Sequence, residues 1–189
     1  GCITSSCITD FIYPREHLQY EANIIRSLGV NIHYNKTLGN EITLEYLTNS
    51  YDASLLAIGA WLAQDPHIAD MEQMEGIYSG IDYLERVSKY EKPFENSRVI
   101  IVGGGNTAID CARTAIRFNN DVTILYRRTR DEMPAEDYEI KYAEDEGVKF
   151  IFLAAPVRTV GEYGKLKGIE CSIIGLGHLM QQAGEALKL

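Results

Sequence analysis

Arg98-Val-Ile-Ile-Val-Gly-Gly-Gly-Asn-Thr-Ala-Ile-Asp-Cys-Ala-Arg113 is the stretch that decides the fold. Residues 98–102 are rich in β-branched side chains and read as a buried strand, while the alanine-spaced run over 106–118 reads as a helix. A glycine turn between the two matters because the helix N-terminus then points free N–H groups at an anion. Gly103, Gly105 and Ala108 fill the three positions of the G-x-G-x-x-G/A fingerprint, with Gly104 between the first two. Gly103 makes the tight turn, Gly105 lets a pyrophosphate approach the backbone, and Ala108 allows close helix–strand packing. Asn106 and Thr107 are placed to cap the helix and bond phosphate oxygens. Three glycines alone are a weak signal, but these follow a strand and open a helix inside a βαβ unit of the right length.

Downstream the pattern alternates. Residues 122–126 form a second strand, Pro134 opens a helix that ends at Gly147, and 148–153 form a third strand. This βαβαβ order requires a parallel sheet with right-handed crossovers. Residues 157–160, the turn from Gly161 to Gly164, and 166–174 then predict a β-hairpin. The fold class is therefore α/β, a Rossmann-like dinucleotide-binding domain with a parallel sheet and a hairpin.

The end of the second strand selects the cofactor. An NAD site places Asp or Glu there to accept from the ribose 2′-hydroxyl. This chain has Arg127 and Arg128, followed by Arg130. A carboxylate would repel a 2′-phosphate, whereas guanidinium groups bind it bidentately, so the expected ligand is NADP(H). Asp110 has two readings: an acid near the positive helix end that pairs with Arg113 at i+3, or a carboxylate facing the nicotinamide. Tyr163 and Lys167 match the Y-x-x-x-K of short-chain dehydrogenases but fall in the hairpin, where they cannot align as an acid–base pair.

The N-terminal half is less regular. Tyr13-Pro14-Arg15-Glu16 opens a helix whose apolar positions Leu18, Ala22, Ile25 and Leu28 keep helical spacing up to Gly29. Residues 30–34 alternate like a strand, 42–47 suggest a short helix, and 53–60 read as a buried strand. Residues 61–78 are irregular, 81–87 give a short helix, and the polar run from Lys89 to Pro93 places a domain boundary near Phe94. After Gly175 no strand character is visible, and a frayed tail or terminal helix is expected.

Composition narrows the function classes. A net charge of −9 and a pI near 4.9 argue against nucleic-acid and anionic-membrane partners, which need a basic face. No apolar run approaches the ~18 residues of a membrane span, and residues 1–7 lack the features of a signal peptide. Cysteines at 2, 7, 111 and 171 form neither a disulfide framework nor a zinc pattern, so a reducing, cytoplasmic setting and no metal site are expected. The histidines at 17, 33, 67 and 178 share no ligand spacing and lie beside no nucleophile signature.

At residues 102–113, then Tyr126-Arg-Arg-Thr-Arg130 and Glu132-Met-Pro-Ala135, the chain resembles the small (beta) subunit of NADPH-dependent glutamate synthase. That family also includes the flavin–nicotinamide part of dihydropyrimidine dehydrogenase and the larger subunit of electron-bifurcating ferredoxin:NADP oxidoreductases. The resemblance runs from about Phe11 to Ile173 and includes Ala57-Ile-Gly-Ala60, Ala155-Pro-Val-Arg158 and Gly168-Ile-Glu-Cys171. It implies a FAD domain interrupted by an inserted NADPH domain, with hydride passing from NADPH to FAD and electrons going on through iron–sulfur clusters to a large subunit or other acceptor protein. By the same resemblance Gly103, Gly104, Gly105, Asn106, Thr107 and Ala108 hold the pyrophosphate, Arg127 and Arg128 hold the 2′-phosphate, and Asp110 lies toward the nicotinamide; Arg130, in the same basic cluster, is counted among the cofactor-binding residues. No catalytic residue is assigned.

The departures matter as well. The family's cysteine-rich cluster domain and its first glycine-rich loop for FAD are not in these residues, so FAD and iron–sulfur clusters are expected in the intact parent or its partner rather than in this chain. Residues 1–93 then read as a partial α/β flavin-side segment, 94–175 as the NADPH domain and 176–189 as a tail. Cys7 and Thr9 stand where the family tends to have Gly and Pro, which leaves a non-native origin open for residues 1–9. A fragment of an oxidoreductase is expected, inactive by itself. The alternative is a non-catalytic module that binds NADPH as a signal.

Overall fold

The computed structural model describes residues 2–60, 62–63, 65–175 and 187–188. In chain order the elements are α1 (Cys2–Ser6), α2 (Arg15–Ser27), α3 (Leu44–Ser50), α4 (Gly80–Ser88), β1 (Arg98–Val102), α5 (Asn106–Ile116), β2 (Asp121–Tyr126), α6 (Asp137–Asp145), β3 (Lys149–Phe152), β4 (Ala154–Glu162), β5 (Lys165–Ile173) and β6 (Leu187–Lys188). Contacts divide the chain into two units, Gly1–Ile12 with Ala63–Leu189, and Tyr13–Leu62.

In the larger unit β1, β2 and β3 lie side by side in a parallel sheet of order β1-β2-β3. Alternate side chains leave on opposite faces, as a pleated strand requires. Val99, Val122, Ile124 and Tyr126 join the cluster that packs beneath α4, α5 and α6 with Ile109, Ala112 and Ile140. Leu125, Ile100 and Ile151 face the other way, toward Ala154, Ile169 and Cys171 of the hairpin. Burial on both faces explains the nearly continuous apolar strands. Val122, Ile124, Leu125 and Ile109 are fully buried, each stabilising the fold by roughly 1.5–3 kcal/mol relative to exposure. Cys7, just after α1, also lies in the first cluster.

β4 and β5 form the expected antiparallel hairpin, with Glu162 opposite Lys165. Tyr163 and Gly164 both have positive φ, which matches the twist that a two-residue hairpin turn needs. Tyr163 stands at the tip, 95% exposed, while Lys167 sits within β5.

Several expectations are corrected. Residues 30–34 and 53–60 make no ladder and are exposed. An apolar run becomes a strand only where neighbours satisfy its N–H and C=O groups, and within Tyr13–Leu62 the described pairing is a single bridge between Leu38 and Ile42. Pro134 does not start α6: it lies in a bend that follows a 3₁₀ turn at Arg130–Glu132, and the helix begins at Asp137. α5 ends at Ile116, not 118. Strand character does return after Gly175: Leu187–Lys188 pairs with Ile169 and Gly168. The rest of that tail, 176–186 and 189, lies outside the described residues.

Candidate dinucleotide site

β1 delivers the chain to Gly103, whose N–H donates to Leu125 O at 3.0 Å, so the glycine turn sits beside the end of β2. Gly103 has φ +133, a backbone region that side chains disfavour. A Cβ there would lie 3.6 Å from that of Ala108, which is the close packing the small residue at 108 serves. A Cβ on Gly104 would meet the Tyr126 ring at 2.6 Å. This second constraint was not visible in the motif, which leaves that position free. A Cβ on Gly105 would meet only Pro134 Cγ, at 3.9 Å. Gly105 therefore borders open space at the start of α5, where a phosphate can come close to the backbone.

Gly105 is the N-cap, and no side chain caps α5. This corrects the capping role given to Asn106 and Thr107. Asn106 Oδ1 instead accepts from Glu136 N–H at 3.3 Å, tying α5 to the start of α6. Ala108 and Ile109 N–H both donate to Gly105 O, and among the described residues the N–H groups of Asn106 and Thr107 have no acceptor. Those two donors point where an anion would sit.

The three arginines separate. Arg130 pairs with Glu144 at 3.3 Å. Arg127 and Arg128 are exposed, and among the described residues neither side chain has a hydrogen bond or ion pair. Two guanidinium groups without a hydrogen bond or ion pair, beside a glycine turn that opens a helix, have the chemistry to take a 2′-phosphate, whereas Arg130 is already paired.

Asp110 is half-buried, one turn into α5. The expected pair with Arg113 is not made. Arg113 is 8% exposed and bonds Glu139 at 2.7 Å and Glu146 at 2.9 Å, both contributed by or next to α6. Burial, and then the Glu139 charge, push the Asp110 carboxyl up to about 6, against a smaller lowering by Arg113. A carboxyl raised in the folded state opposes folding once ionised. Its penalty is complete above about pH 6 and disappears as pH falls below its ordinary value of 3.8. Asp110→Asn is therefore expected to raise stability at pH 7 by up to about 2 kcal/mol and by little at pH 4. Thermal unfolding of both proteins across that range is the check, and an equal shift at both pH values would refute it.

Among the described residues no group of three or more His, Cys, Asp or Glu is placed to hold a metal ion, and no helix is long and apolar enough to cross a membrane. Tyr126, Glu132 and Pro134 lie close to the glycine turn, and no local physical signal in the sequence assigned them a place at the site. The quoted run 132–135 was the signal that marked this region.

The family model described as pyridine nucleotide-disulphide oxidoreductase matches residues 2–174. The chain is 39% identical over 174 residues to the NADPH-Fe(3+) oxidoreductase subunit beta of Geobacter sulfurreducens, covering 90% of this chain and 26% of that protein. It is 38% identical to the NADP(+)-dependent formate dehydrogenase subunit beta of Moorella thermoacetica, with 90% and 24% covered. To the glutamate synthase [NADPH] small chain of Escherichia coli it is 31% identical, with 90% and 39% covered. The chain thus spans about a quarter to two fifths of the curated relatives it matches. In fold it is similar to the Mycobacterium tuberculosis oxidoreductase FprA, with TM-score 0.74 and 15% identity over 99% of this chain and 59% of that one.

Proposed function

The chain belongs to the pyridine nucleotide-disulphide oxidoreductase family, and on that premise we propose that it is the NADPH-binding part of a flavin-dependent oxidoreductase. The observation that carries the reading is the pair Arg127 and Arg128, exposed and without ion partners beside the glycine turn. Gly103 to Gly105 and the free N–H groups of Asn106 and Thr107 would hold the pyrophosphate, and the two arginines the 2′-phosphate. Asp110 lies on the same helix, toward the nicotinamide end. Bound there, NADPH supplies a hydride. FAD would be the acceptor, with iron–sulfur clusters or a partner subunit taking the electrons onward. Relatives named as beta subunits support a partner. Residues 1–93 are assigned to the flavin side and 94–175 to the NADPH side. Two buried free thiols, Cys111 and Cys171, suit a reducing cytoplasm.

The test is a calorimetric titration with both nucleotides at low salt. NADPH is expected to bind at least about tenfold more tightly than NADH, since each hydrogen bond to a charged group contributes about 1.5–3 kcal/mol. Equal affinities, or a preference for NADH, would refute the cofactor assignment.

A further inference from the structure

We infer that residues 129–135 form a strap that sets the cofactor preference of this site, with Tyr126 and Thr129 as positioning residues; the inference rests on the NADPH reading above. Four contacts close a ring around the arginine pair. The Tyr126 ring fills the space over Gly104, and its hydroxyl donates to Glu132 O at 2.7 Å. Thr129 donates to the Glu132 carboxylate through both its N–H, at 3.1 Å, and its hydroxyl, at 2.9 Å. Ala135 N–H returns to Gly104 O at 3.1 Å. The strap thus begins at the arginines and ends on the phosphate turn.

Arg127 and Arg128 occupy the only two positions between the anchored Tyr126 and Thr129. Arg128 O also accepts from Leu153 N–H at 3.2 Å. Their backbone is therefore held at both ends, while among the described residues their side chains make no hydrogen bond or ion pair. A loop already in its bound conformation binds more tightly, because ordering it costs little at the moment of binding. Thr129 has a second effect. The Glu132 carboxylate lies near enough to Arg128 to feel its charge, and the two bonds from Thr129 keep it on the turn. Released, it would compete with the 2′-phosphate for Arg128.

A contact that merely stabilises the fold would change the binding of both nucleotides alike. NADPH and NADH differ only in the 2′-phosphate, so misplaced arginines appear in the ratio of their affinities. Tyr126→Phe and Thr129→Val in the full chain, each titrated with NADPH and NADH, are expected to lower that ratio roughly three- to tenfold, the range of one lost hydrogen bond. NADH affinity should stay within twofold, and Thr129→Ser, which keeps the hydroxyl, should restore the ratio. If the unaltered chain prefers NADPH and both variants keep the ratio within twofold, or lose both nucleotides equally, the strap does not set preference. An unaltered chain with no preference overturns the NADPH reading itself, and this inference with it. Thr129 is outside the buried core, so its variant keeps the test available should Tyr126→Phe disturb folding.

Discussion

NADPH binding to an Arg127→Ala/Arg128→Ala double variant is expected to be weaker by about a hundredfold, with NADH binding unchanged within twofold. Each single substitution should remove about 1.5–3 kcal/mol, the contribution of a hydrogen bond to a charged group. The two need not add in full, because both side chains are exposed and water screens them. The difference should shrink as salt rises, since an exposed phosphate contact is screened within a Debye length of about 8–10 Å. Stability should be unaltered within about 0.5 kcal/mol, as for other surface changes. Titration of the variant at low and high ionic strength measures all of this. If both nucleotides bound it as they bind the parent chain, the arginines would serve some other partner, and the glycine turn would stand as a dinucleotide site of undetermined preference.

The largest effect on stability belongs to Arg113. Its guanidinium bonds Glu139 and Glu146 while 8% exposed. Arg117 adds bonds to Glu146 at 2.8 and 2.9 Å and to Arg113 O, and both arginines stack on the Phe11 ring, at 4.7 and 3.9 Å from its centre. Removing one partner of a buried pair leaves an uncompensated charge, at about 3–5 kcal/mol. Arg113→Ala should fall near 3, because Arg117 still holds Glu146. For a chain of this size that lowers Tm by roughly 6–12 °C. Acid titration gives a second readout. Burial alone would raise the Glu146 carboxyl, but the hydrogen bonds from Arg117 and Arg113 outweigh it and hold the group down to about 2. A depressed carboxyl stabilises the fold above its ordinary value of 4.5 and loses that contribution as pH falls from there through about 2. In Arg113→Ala this loss should be smaller. A variant that melts within 2 °C of the parent chain at pH 7 would show that the network contributes little.

How much of this could be read from the sequence depended on how local each signal was. β1, β2 and α5 were legible because a strand buried on both faces is apolar along its whole length and a Rossmann helix opens on glycine. The hairpin was legible because Tyr163-Gly164 sits between two alternating runs. Residues 30–34 and 53–60 misled because a strand is a relation between segments, and apolarity says nothing of the partner. The same distinction runs through the site. Gly103 and Gly105 act through their own backbone and were read as such, whereas Gly104 is constrained by Tyr126, 22 positions away. The i+3 rule paired Asp110 with Arg113, but two carboxylates of α6 and its C-terminal end, more than twenty residues on in sequence, have Arg113 instead. Likewise nothing local separates Arg130 from Arg127 and Arg128. The difference is Glu144, brought back by the turn of α6.

The tyrosine ring lying where a side chain at 104 would have to go has a consequence in descent. Bulk at positions 104 and 126 is one shared quantity, because a methyl group at 104 can be accommodated only as the ring at 126 shrinks or turns aside. Neither change alone is a small step: alanine at 104 collides with the ring, and a short residue at 126 gives up the hydroxyl that ties down Glu132. Lineages that altered this corner should therefore have altered both positions together, and a library that varies them singly would find a barrier where one that varies them as a pair finds a passage.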